Sequence, residues 1–257
     1  MLSFRPSRLI RLFAIALMAL AFVLYAPHDA QAQEGLSEVE RGEVEALIRE
    51  YLRENPEVLV EAIQALRDKQ EAANRNQAET AVMDFRMRLS QGLNAPSTGP
   101  VNASVTVVEF FDYRCGYCKK VFPDIQALMD SGEDIRFVFM EFPILGDDSV
   151  AASNAALAVW LNWPEHYIAV HKVLMGSRGN LTQDKIMELV ASVGIDPKAL
   201  SAAMNSPEVG KLISDNYELA QTMGINGTPA FIIGDELVPG AIDISTMREL
   251  IDTARNG

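Results

Sequence analysis

The chain has 257 residues, 49% of them apolar and 22% charged, a balance that excludes wholesale disorder and collagen-like repeats. Its net charge of −13 argues against a partner with a phosphate backbone, so no nucleic-acid role is expected. Only 2 cysteines are present, Cys115 and Cys118. That count excludes a disulfide-stapled scaffold and any four-cysteine zinc or iron–sulfur site.

Residues 1–32 read as a signal peptide. Arg5, Arg8 and Arg11 precede an almost uninterrupted apolar run from Leu12 to Tyr25. Ala30-Gln31-Ala32 comes next as a small-residue cleavage site. The alternative, a retained signal anchor, fits less well because the run is short for a span of about 20 residues. No cysteine stands at the cleavage site to take a lipid, so no stable membrane anchor is expected. Cleavage would start the chain at Gln33 and leave a net charge of −15. The expected compartment is the periplasm.

Residues 33–93 differ in texture from the remainder of the chain. Val44, Leu47, Ile48 and Tyr51 recur at the spacing of one helix face, and Val58, Leu59, Ala62, Ile63 and Leu66 form a second stripe beyond Pro56. A single helix over 56–91 would extend about 54 Å, too long to be buried along its length in a small domain. Its middle, with Lys69, Glu71, Asn74, Arg75 and Asn76, reads as solvated. The apolar seam does not continue, since its next positions are Gln70, Ala73 and Gln77, so a long coiled coil is not expected. The reading favoured for residues 33–93 is a helical homo-oligomerisation region. Its alternative is a segment packed on its own catalytic domain.

Residues 92–103 form a turn-rich linker. The β-branched and aromatic run 105–111 predicts a buried strand, a helix is expected from Cys115 to Asp130, and a second strand over 135–142. Helices are then expected over 148–163, 164–175, 182–193, 197–205 and 209–223. A hairpin over 230–234 and 236–238 and a helix over 244–254 close the chain. This order implies an α/β fold, a mixed sheet flanked by helices with a helical insertion in the middle.

Cys115-Gly116-Tyr117-Cys118 stands directly after the first strand, at the first turn of a helix. A plain disulfide is one reading, but closing so short a loop contributes only about 2 kcal/mol, against about 3 for a 15-residue loop. Half of a metal site is another, and beyond the signal segment only His166 and His171 could complete it. Their spacing puts them on different faces of a helix, so neither metal nor cofactor is expected. The third reading is a redox dithiol. Free backbone N–H groups and the helix dipole favour a thiolate there. Cys115 would be the exposed nucleophile and Cys118 the resolving thiol. Arg114, Lys119 and Lys120 would add positive potential.

The run Phe110-Phe-Asp-Tyr-Arg-Cys-Gly-Tyr-Cys118, with Gly227-Thr-Pro-Ala-Phe231 about 110 residues later, resembles the DsbA-like thioredoxin-fold oxidoreductases. Within them it is most similar to the suppressor-of-copper-sensitivity protein C branch, which has an added N-terminal helical region. The resemblance implies a thioredoxin fold over 94–257 with a helical insertion at about 146–221. It implies a cis-proline at Pro229, with Thr228 against the cysteines and the loop holding substrate beside Gly116 and Tyr117. Glu109, six residues before Cys115, matches a buried acid that aids proton transfer; read from spacing alone it is an edge-facing strand residue. The implied activity is thiol–disulfide exchange on exported proteins, with isomerase or reductase favoured over oxidase. A non-catalytic chaperone acting through the N-terminal helices is the contrasting class. A protein working reduced would draw electrons from an inner-membrane DsbD-like thiol reductant.

Overall fold

The computed structural model describes residues 37–256; the expected signal peptide lies outside them. The chain divides into two compact units between Leu66 and Arg67. In the first, α1 (Glu38–Glu54) starts from a reciprocal cap: the Ser37 hydroxyl accepts from the Glu40 N–H, and the Glu40 carboxylate accepts from the Ser37 N–H. This satisfies two donors that a helix start leaves without partners. α1 buries none of its side chains, and Leu47, Ile48 and Tyr51 are exposed. α2 (Glu57–Ser90) is one continuous helix. Its first apolar stripe, Leu59, Ile63 and Leu66, is also exposed.

The second unit is built on a five-stranded sheet in the order β1-β3-β2-β4-β5. β2 (Val105–Phe111) and β3 (Ile135–Glu141) are parallel, joined by α3 (Gly116–Asp130). β4 (Ala230–Ile233) runs antiparallel to β2, and β5 (Glu236–Pro239) completes a hairpin. β1 (Ser97–Thr98) pairs antiparallel with β3 and lies inside the segment expected to be linker. Two residues are too few for a periodic signal. Gly99, at φ 91°, turns the chain just after it, and a Cβ there would meet the carbonyl oxygen of Ile135.

Alternation along the strands gives the sheet two apolar faces. On one, Val107, Phe111, Phe137, Phe139 and Phe231 pack with α3, the helical insertion and the closing α9 (Ile244–Asn256). The insertion comprises α4 (Asp147–Asn162), a 3₁₀ turn at Pro164–His166, α5 (Tyr167–Gly176), α6 (Gln183–Ala191), α7 (Pro197–Ala203) and α8 (Pro207–Thr222). On the other face Val108, Phe110, Val138, Met140 and Ile232 meet Ala220 of α8 and Ala81, Val82, Phe85 and Leu89 of α2. The last turns of α2, read from sequence as part of the helical arm, therefore pack on the sheet of their own chain. Phe85 is fully buried, with its ring 6.4 Å from that of Phe110.

Candidate active site

β2 carries Glu109 and Phe111 to the edge of the first core face, and a three-residue turn then leads into α3. Asp112 sets that turn. Its carboxylate accepts from the Arg114 N–H at 2.7 Å, the Leu145 N–H at 3.0 Å and the Ser149 hydroxyl at 2.7 Å. Its carbonyl accepts from the Cys115 N–H at 3.0 Å. A short acceptor between strand and helix is the ordinary device for such a turn, and this role was not drawn from the sequence.

Cys115 is the N-cap of α3, and its Sγ accepts from the Cys118 N–H at 3.4 Å. The thiol is pulled down to about 5 by the hydrogen bond from the Cys118 thiol, with the Thr228 hydroxyl and the N–H groups of Cys118 and Tyr117 adding to it against the cost of burial. Hydrogen bonds to the sulfur stabilise its charged form. The basic neighbours contribute differently from expectation. Arg114 donates to the Leu145 carbonyl at 2.5 Å. Lys119 donates to the carbonyls of Leu174, Met175 and Ser177 at 2.8–3.2 Å, which ties α3 to the end of α5. The Cys118 thiol, with hydroxyl and backbone donors and not basic side chains, holds the thiolate.

Cys115 was expected to be exposed, yet only 6% of it is, because the Thr228 loop lies over it. Its thiol donates to the Thr228 carbonyl at 3.2 Å. The Thr228–Pro229 peptide is cis, and Ala230, next in the chain, pairs with Phe110 on β2. That pairing holds the loop against the start of α3. Gly116 and Tyr117 are exposed beside it. Ile225, Leu237 and Pro239 line an apolar groove along the same loop.

Cys118 is fully buried. Its thiol is pushed well above its ordinary value by its hydrogen bond to Cys115, by burial and by the charge of Glu109. Glu109 lies on the central strand rather than an edge and is 3% exposed. Neither of its carboxyl oxygens has a hydrogen-bond partner among the described residues. Burial pushes it up to about 8, and the charges of Cys115 and Glu141 add to the shift.

The two histidines do not converge on the cysteines as ligands. His171 is buried among aromatic rings, while His166 sits in the 3₁₀ turn. Among the described residues no cluster of three or more His, Cys, Asp or Glu is placed to hold a metal. Nor is any described helix long and apolar enough to cross a membrane.

A stabilised thiolate at a helix start, a buried partner thiol one turn on and a thioredoxin-like sheet define a thiol–disulfide oxidoreductase. The chain belongs to the DSBA-like thioredoxin domain family, which it matches over residues 106–252, and residues 40–73 match the Copper resistance protein ScsC N-terminal domain. A thioredoxin-like oxidoreductase from Silicibacter pomeroyi is 40% identical and covers 67% of this chain and 98% of its own, with a TM-score of 0.63. Proteus mirabilis ScsC in a transitional conformation is 32% identical, covering 86% of this chain and 99% of its own, with a TM-score of 0.64. Disulfide bond formation protein D of Bacillus subtilis is 28% identical over 173 residues, 63% of this chain and 78% of that protein. The chain also spans about a quarter of the length of curated Na(+)/H(+) antiporters named NhaA, so that likeness concerns one part of a larger protein.

Proposed function

We propose that the chain is a disulfide isomerase or reductase for exported proteins. The exchange chemistry is carried by the Cys115 sulfur, lowered to about 5 at the start of α3 beside a buried Cys118 thiol; the direction is argued from the residues around it. Cys115 thiolate attacks a substrate disulfide, and the electron pair of the broken S–S bond leaves on one substrate sulfur. The mixed disulfide then has two exits. Attack by Cys118 forms the Cys115–Cys118 bond and releases a substrate reduced by two electrons. Attack by a substrate thiol releases Cys115 and leaves the substrate isomerised.

Glu109 is the group that takes the Cys118 proton in the first exit. The loop at Thr228 and Pro229, open to solvent at Asn226 and Gly227 and half-buried at Thr228, holds an extended substrate segment beside Gly116 and Tyr117. The Gly-Tyr pair and the Thr before Pro229 resemble those of isomerases more than those of a strong oxidase, which supports this direction. The exposed stripes on α1 and the start of α2, together with the match to an ScsC N-terminal domain, support self-association through residues 33–93. Several displayed sites would suit isomerisation. The basic and apolar N-terminal residues support a periplasmic protein, which would draw electrons from a DsbD-like membrane reductant.

The opposite direction has one observation in its favour. A thiolate stabilised to about 5 stabilises the reduced form, which makes the oxidised pair a better oxidant. Two substrates separate the readings. An isomerase reactivates a scrambled disulfide protein faster than it oxidises the fully reduced form of that protein, and the reverse ranking assigns an oxidase.

A further inference from the structure

Glu141 ends β3 fully buried, on the sheet face that carries Glu109. In the register, Glu109 pairs with Phe139 and Phe111 with Glu141, so the two carboxyl groups are diagonal neighbours across adjacent strands. Their surroundings differ sharply. Glu141 is met by three hydroxyl donors: Ser153 at 2.7 Å on one oxygen, Tyr167 at 3.1 Å and Tyr113 at 3.2 Å on the other. Glu109 is met by none among the described residues. The Tyr113 hydroxyl has one hydrogen and gives it to Glu141. With that hydrogen given to an ionised Glu141, its oxygen is free to accept from His171 Nδ1, 3.1 Å away.

We propose that Glu141 is a positioning residue for the exchange reaction: as the pair ionises, its hydroxyl-bound carboxylate takes the first negative charge, keeps the proton on Glu109, and so sets the pH at which Glu109 can take the proton of Cys118. This inference rests on the base role proposed for Glu109. Two buried carboxyl groups this close do not both ionise readily, and three donors favour the charge on Glu141. Burial holds each of them near 8, with the three hydroxyls pulling Glu141 down against that cost. The remaining groups facing the pair are Asp112 in the turn, the thiols at the start of α3, and Tyr113, Tyr167 and His171 around Glu141. His171 is held neutral by burial, at about 3. No described cation touches either carboxylate.

The step balances. The Cys118 S–H proton passes to the Glu109 carboxylate as Cys118 attacks the Cys115 sulfur of the mixed disulfide. The new S–S bond oxidises the dithiol by two electrons, and the departing substrate sulfur takes the electron pair of the broken bond.

The test is the pH profile of single-turnover reduction of a fluorogenic disulfide peptide by the full chain. Glu141→Gln should move the midpoint of the Cys118-dependent limb at least half a pH unit lower, about threefold in proton affinity. Glu109→Gln should abolish that limb, and the double variant should match Glu109→Gln alone. An unmoved midpoint in Glu141→Gln, with the limb lost in Glu109→Gln, overturns the role of Glu141 and leaves the base intact. A wild-type limb in Glu109→Gln overturns the base itself and this inference with it. Should Glu141→Gln not fold, Tyr167→Phe removes one donor and should move the midpoint the same way by less; no movement there also overturns the proposal.

Discussion

The Cys115 sulfur lies 3.2 Å from the backbone carbonyl of Thr228, 113 residues further along the chain. Two loops that are remote in sequence thus form one surface, because β2 and β4 are hydrogen-bonded neighbours and both loops leave the same end of that pair. Under the proposed function, substrate bound along the second loop would present its sulfur to the first.

Thr228→Val keeps the shape of the loop and removes a hydroxyl that favours the thiolate. The Cys115 thiol should titrate up to about one pH unit higher, near 1.4 kcal/mol of lost preference for the charged form. Ultraviolet absorbance of the thiolate across a pH series measures it.

Cys118→Ala removes both the strongest stabiliser of the Cys115 charge and the thiol proposed to resolve mixed disulfides. Two outcomes are expected together: a higher Cys115 titration midpoint, and covalent adducts with substrate that survive until an external thiol is added. Non-reducing electrophoresis reads the second.

The buried acids make stability depend on pH with a definite sign. Glu109 and Glu141 titrate near 8 in the folded chain, against an ordinary value of 4.5. Between those values the native state binds more protons than the unfolded chain, so stability falls as pH rises through that window. His171 acts at the other end. Its folded value of about 3, against 6.5, costs stability as pH falls below 6.5. Glu109→Gln removes one alkaline contribution, so its urea midpoint relative to wild type should rise steadily from pH 5 to pH 8.

Phe85→Ala should cost about 3–5 kcal/mol in urea unfolding, the usual range for emptying a fully buried aromatic site. A cost below 1 kcal/mol would mean that the end of α2 is not part of the sheet's core.

Lys119→Met should lower stability by roughly 2 kcal/mol, since three carbonyls lose a charged donor. Urea unfolding checks it. The Cys115 titration should move little, because the thiolate is held by other donors.

Much of this was legible in the residues. Periodicity located every helix of the second unit within a few positions, and the strand-then-Cys115 order placed the dithiol at a helix start. The motif around Pro229 and the acid at Glu109 were found through family likeness, since nothing in spacing brings residues 109, 115 and 228 together. The features that the sequence does not display depend on tertiary partners. Glu141 stands in an apolar run, Phe137-Val-Phe-Met-Glu-Phe142, where a lone acid at a strand end looks like the return to solvent. Its three hydroxyl donors come from a loop and two helices, at positions 113, 153 and 167. The stripe of Val82, Phe85 and Leu89 was visible, but whether it meets its own sheet or a second copy is decided by the shape of that sheet.

Cys115 is the residue on which the proposed thiol–disulfide exchange depends. Reactivation of a scrambled disulfide substrate by the full chain, wild type beside Cys115→Ala, tests it most directly. Wild type should accelerate reactivation, and the variant should give no rate above that of buffer. Equal acceleration by both would contradict that dependence and assign the effect to a non-catalytic chaperone surface.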